Sequence, residues 1–169
     1  MGVESFLLDA IRNPAVFLPL LFAFSVATAL ILPLPIEIAL LPFITDPPMY
    51  GVAVLVMGSG KAAGSWLVFI LGLEVENTIR NWSRRFRFVR VFVGLCTRFV
   101  ARTQYLGLFA LLATPFMSDT VPLYAYSVFN HQGSLLEMRY FVFTNFLAGV
   151  DRGIILFVIL LALGINLFA

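Results

Sequence analysis

Ile31-Leu-Pro-Leu-Pro-Ile-Glu-Ile-Ala-Leu-Leu-Pro42 lies inside an apolar run, Ala15 to Ile44, that contains no other charged residue. Each proline removes a backbone donor and clashes with the preceding turn, so a helix stops or bends here. In hydrocarbon, backbone freed in this way survives only against protein or a water-filled cavity. A carboxylate at that depth costs roughly 2.5–3.5 kcal/mol on insertion scales. Two costly features at one point mark a site rather than a stretch of scaffold.

The pattern occurs twice. Ala113-Thr-Pro-Phe-Met-Ser-Asp-Thr-Val-Pro122 repeats the spacing: Pro33 precedes Glu37 by four residues, as Pro115 precedes Asp119. Pro42 follows the first acid and Pro122 the second, and Pro35 adds a further break to the first motif. Downstream, Gly58-Ser-Gly-Lys-Ala-Ala-Gly64 opens into an apolar stretch ending at Gly72, and Ala148-Gly-Val-Asp-Arg-Gly153 into one ending at Gly164. Lys61, the only lysine, corresponds to Arg152. The chain is therefore expected to hold two repeats, each a proline-broken re-entrant hairpin followed by a spanning helix with a cation in its first half. Repeats of opposite topology with half-helices meeting near the midplane are characteristic of small transporters.

Composition sets the class. Of 169 residues, 61% are hydrophobic and 12% charged, with a mean hydropathy of +0.99. A soluble domain of this size has too little interior to hide so much apolar side chain. The expected fold is that of an all-α integral membrane protein, in the cell membrane. A single cysteine, Cys96, excludes an internal disulfide and any cysteine-based metal site. With one histidine, His131, expected in a solvated loop, no metal or cofactor is predicted. Ala27-Thr-Ala29 looks like a leader cleavage site, but Glu4 and Asp9 stand where a positive region belongs, so no cleaved leader is expected.

Taken in order, residues 3–13 have the spacing of a short interfacial helix. Pro14–Ile44 is too short to cross a bilayer and return, and reads as a re-entrant hairpin with its tip near Pro33–Glu37. Met49–Leu73 is long enough to span, and Glu74 and Glu76 mark its exit. Arginines then alternate with aromatic residues from Arg80 to Arg102. Such a segment predicts an amphipathic helix on the cytoplasmic leaflet in contact with anionic lipid, not a nucleic-acid site. Tyr105–Asn130 is the second hairpin. Ser134–Phe168 follows as one long helix or two hinged at Gly149–Gly153, and the repeat favours one. Asp151 is expected to pair with Arg152 or face the interface. Repeat one spans 1–76, the arginine-rich segment 77–103 and repeat two 104–169.

Together these motifs resemble the DedA family of membrane proteins, also called SNARE-associated or VTT-domain proteins. Pro33-Leu-Pro-Ile-Glu37, the Gly58–Gly72 helix, Pro115-Phe-Met-Ser-Asp119 and the Phe141–Gly164 helix carry the resemblance. It implies two re-entrant hairpins with acids near their tips and a role in lipid translocation, either of polyprenyl-phosphate carriers or of phospholipids. The family's second motif places arginines three residues before and after its proline. This chain has Leu112 and Ser118 there. Lys61 and Arg152 are the candidate replacements.

The expected function is a transporter moving a phosphate-bearing lipid between leaflets. Glu37 and Asp119 would exchange protons with a gradient, and Lys61 and Arg152 would hold phosphate. Ser118, Thr120, Asn145 and Asp151 are candidate lining residues. A proton- or ion-coupled exporter of small molecules is the alternative use of the same acids. A purely bracing role would pair Glu37 with Lys61 and Asp119 with Arg152. Enzymatic activity is not expected, because no Ser/His/Asp set or metal-ligand cluster falls in plausible order.

Overall fold

The computed structural model describes residues 13–32, 34–85, 87–130 and 135–163, with side chains at all of these except 73–90, 92 and 93. Residues 3–12 of the expected interfacial helix, Pro33 and His131 lie outside the described residues. All regular structure among the described residues is helical. Helix α1 spans Pro14–Leu30, and a 3-10 helix spans Ile36–Phe43. Helices α2 (Pro47–Arg85), α3 (Arg87–Ala113), α4 (Thr120–Val128) and α5 (Met138–Ala162) follow.

Local chemistry sets the starts. Asn13 caps α1, its Oδ1 accepting the Ala15 amide at 3.1 Å, and Pro14 occupies the first position, where an amide would have no partner. Asp46 does the same for α2, accepting the Met49 amide at 3.2 Å ahead of Pro47 and Pro48.

α2 is the axis of the fold and packs against all five other elements. α1 runs parallel to it. A Cβ added at Gly60 would lie 2.5 Å from Ser25 Cβ, and one at Gly64 would lie 2.5 Å from Ala29 Cβ. Small residues four apart on both helices thus bring the backbones together. α5 runs antiparallel to α2. The Tyr50 hydroxyl donates to the Gly153 carbonyl at 2.7 Å, Gly58 abuts Gly149, and the Phe69 and Phe141 rings lie 5.2 Å apart.

The two broken segments fold back as hairpins from opposite ends of α2. In the first, Phe43 after the break stacks edge-on against Phe17 near the start of α1, with ring centroids 4.6 Å apart, and both pack with Tyr50. In the second, Tyr126 of α4 returns to within 2.6 Å of the Thr103 hydroxyl, while Ser127 packs on Gly72. The tips converge midway. Thr120, first residue of α4, donates to the Thr28 carbonyl at 3.0 Å, satisfying an acceptor that the end of α1 leaves open.

Several expected boundaries differ. Pro42 lies within the 3-10 helix and Pro122 within the first turn of α4, so neither is a break. First-turn amides have no intrahelical acceptor, so Pro122 sacrifices no bond. Pro35 caps the 3-10 helix and Pro115 sits in the turn after α3, as breaks should. α2 does not end at Glu74 but continues to Arg85. The segment expected as a separate interfacial helix is thus divided between the end of α2 and the first part of α3. α3 itself is kinked at Gln104, whose φ is 43° and ψ −135°. α5 is a single helix through Gly149–Gly153.

Pro47–Gly72 and Met138–Ala162 are long and apolar enough to cross a membrane, at 26 and 25 residues. α1 is apolar but shorter, at 17 residues.

Candidate functional site

Buried residues divide into two apolar clusters with a polar layer between them. One cluster gathers Phe17, Leu21, Leu40, Tyr50, Met57 and Leu156 about the first hairpin. The other gathers Val68, Leu108, Leu112, Leu123, Tyr126 and Phe141 about the second. Following α2 from Met57 to Val68 crosses Lys61. Following α5 from Phe141 to Leu156 crosses Asn145 and Arg152. On α1, Ser25 and Thr28 lie between Leu21 and Ala29.

Glu37, Lys61, Asp119 and Arg152 meet in this layer, brought from four different elements. Lys61 Nζ lies 3.2 Å from Glu37 Oε1 and 2.9 Å from Asp119 Oδ2. Arg152 Nη1 lies 2.8 Å from Glu37 Oε1, and its Nη2 2.8 Å from Asp119 Oδ1. The result is a closed ring in which every acid touches both cations. Exposure is 0% for Glu37, 1% for Lys61 and Arg152 and 5% for Asp119, so the ring is shut off from the surface.

The two acids are held differently. Glu37 sits in the first turn of the 3-10 helix, and its Oε1 accepts from both Lys61 and Arg152. Its Oε2 is buried without a hydrogen-bond partner. Asp119 divides its oxygens, one to each cation, although the Arg152 Nη2 contact is misaligned for a hydrogen bond. Asp119 is also the N-cap of α4, yet makes no capping bond. Aspartate is a favoured capping residue, worth about 1 kcal/mol there. Its carboxylate is committed to the ring instead.

Around the ring, polar atoms remain unmatched. Asn145 Nδ2 donates to the Lys61 carbonyl at 2.7 Å and ties α5 to α2, but its Oδ1 has no partner. Arg152 Nε and Ser118 Oγ are likewise buried without one. Buried polar groups are nearly always satisfied, and exceptions mark functional or hydrated positions. Of the other candidate lining residues, Thr120 serves the junction with Thr28. Asp151 does not pair with Arg152: successive helical residues point about 100° apart, and Arg152 turns inward to the ring. Ser25 and Thr28 escaped notice in the sequence, yet Phe17, Leu21, Ser25 and Thr28 share one helical face and the polar pair could have been read there. Among the described residues no group of three or more His, Cys, Asp or Glu side chains is placed to hold a metal ion.

No family model matches the chain, and neither does any curated protein or solved structure.

Proposed function

We propose that the chain is an integral membrane protein of two inverted repeats that translocates a phosphate-bearing lipid between leaflets. The closed four-charge ring where two broken hairpins meet, midway along two helices of spanning length, carries this reading. Large exposed side chains such as Leu20, Leu55, Phe143, Ile154 and Val158 on the surrounding helices suit a hydrocarbon solvent. As a brace, such a ring is poorly justified. Buried ion pairs are often no more stabilising than apolar packing, because desolvation offsets attraction. A site that must release its internal acids to receive an external anion has reason to keep them.

In this mechanism the closed ring is the occluded form. A phosphate needs both cations, and the acids hold them in its absence. Protonation of Glu37 at Oε2, the oxygen that bonds nothing, weakens its hold on Lys61 and Arg152 without first breaking a bond. Phosphate then takes the place of Glu37 Oε1, and withdrawal of one hairpin opens the ring towards one leaflet. The DedA resemblance supports a lipid over a soluble substrate, and the proton provides the coupling.

The test is reconstitution in liposomes carrying a labelled polyprenyl phosphate and a labelled phospholipid in one leaflet. Accelerated exchange of either, lost in Glu37→Gln, supports the proposal. Movement of a small cation with no exchange of either lipid would replace it with the exporter.

A further inference from the structure

The turn that delivers Asp119 to the ring has a second face. Met117 and Val121, two residues to either side of Asp119, line a groove of about 330 Å³ between α3 and the second hairpin. Leu95, Cys96 and Phe99 form its opposite wall and Ala125 part of its floor. Leu95, Phe99 and Val121 are 59%, 52% and 68% exposed, so the groove is open along its length. It follows α4 from the tip of the hairpin back to its base, about 12 Å at the rise of a helix.

Charge says what fits. Arg98 and Arg102 are exposed and fall on the same stripe of α3 as Leu95 and Phe99, at spacings of three and four residues. Arg102 and Arg98 adjoin Thr103 and Phe99 in sequence, both of which meet Tyr126 near the base of the hairpin, whereas the groove runs towards its tip. A cationic edge beside an apolar channel of this length suits the proximal half of one phospholipid acyl chain, with the phosphate at the arginines.

We infer that this groove binds an acidic phospholipid of the surrounding leaflet, with its phosphate on Arg98 and Arg102 and one acyl chain between α3 and the second hairpin. The chain then passes Met117 and Val121, on the turn that carries Asp119. An occupied groove holds the second hairpin against α3 and keeps the ring closed from that side. This rests on the membrane reading above but not on transport.

Cys96, the only cysteine, reports on the groove it lines. The rate of its alkylation by N-ethylmaleimide is measured on the full chain in neutral detergent, with added dioleoyl phosphatidylglycerol or dioleoyl phosphatidylcholine. Phosphatidylglycerol is expected to slow the reaction at about 25-fold lower concentration than phosphatidylcholine, since each of the two arginines near an anionic lipid contributes about fivefold. Arg98→Gln with Arg102→Gln should abolish that preference. Val121→Trp, at an exposed position the fold tolerates, should block the groove and make alkylation insensitive to either lipid. Equal protection by both lipids, or protection unchanged in Val121→Trp, overturns the assignment. Liposome exchange measured on the same variants separates the two proposals. Selective protection without any lipid exchange leaves the groove and removes the transporter, and exchange with no selective protection does the reverse.

Discussion

The two hairpins bring the same chemistry to one point by different local means. The first rests on α1, which docks on α2 through Ser25 and Ala29 against Gly60 and Gly64, and returns through a 3-10 helix. The second has a shorter outgoing limb, the last part of α3, and returns through the nine residues of α4. The only non-glycine residues with positive φ among those described, Gln104 at 43° and Phe116 at 60°, lie at its base and its tip. Such backbone costs of order 1–3 kcal/mol per residue and persists only where its surroundings impose it. The first hairpin is the seated one and the second the strained one. If one of them withdraws from the ring, the second has less to lose.

The sharpest way to break this comparison is to remove a cation that both hairpins share. Arg152→Met leaves Glu37 and Asp119 with Lys61 alone, an uncompensated buried charge. Truncating one partner of a buried pair costs about 3–5 kcal/mol. Thermal unfolding in detergent should fall accordingly, and lipid exchange should cease. Adding Glu37→Gln restores neutrality and should recover most of the stability without the exchange. Recovery of exchange in the double variant would reduce the ring to a brace.

The ring was legible in the sequence because each member breaks a rule of its surroundings. An acid in an apolar run and a lone lysine between glycines are expensive, and the matched spacing of Pro33–Glu37 and Pro115–Asp119 ties the halves together. Its connectivity was not legible. Pairing within a repeat would give Glu37 to Lys61 alone and Asp119 to Arg152 alone, whereas opposed hairpins let each acid reach both cations. Pro122 departs from expectation for a physical reason: a proline breaks a helix interior but costs nothing in a first turn, where Pro122 stands. Gln104 carries no signal in the sequence, being neither glycine nor proline. Glu74 and Glu76 mark the end of an apolar stretch, which sets no limit on how far the helix itself continues.

Smaller effects sharpen the contrast between the hairpins. Gly60→Val puts a side chain where Ser25 Cβ would lie 2.5 Å and the Phe22 carbonyl 2.7 Å from its Cβ. α1 must lift from α2, at a cost of about 1–3 kcal/mol for overpacking. A normal melting temperature for this variant would mean that the first hairpin is not seated as described. Thr120→Val removes the bond to the Thr28 carbonyl while keeping the side-chain shape. It should cost about 1 kcal/mol. Its readout is hydrogen exchange at the two tips, which should rise in α4 more than in the 3-10 helix if the second hairpin is the looser one.

A last pair of substitutions, one of which should scarcely move the melting temperature, separates strain from simple loss of contact. Phe116 holds a positive φ and is 58% exposed, while Leu34, near the first tip, is 51% exposed and is not among the positive-φ residues. Glycine at either position removes a half-exposed side chain and adds about 0.5–1 kcal/mol of backbone entropy cost. Only at Phe116 does it also relieve a left-handed conformation that costs an L-residue roughly 1–2 kcal/mol. Leu34→Gly should therefore lower the melting temperature, and Phe116→Gly should leave it level or raise it slightly. The gap between them should be about 1–2 kcal/mol. Relieved strain also lowers the energy of the docked second hairpin relative to the withdrawn one, so Phe116→Gly should slow lipid exchange even as it stabilises the fold. Equal destabilisation by both substitutions would mean that the second turn stores nothing, and that the hairpins differ in shape but not in readiness to move.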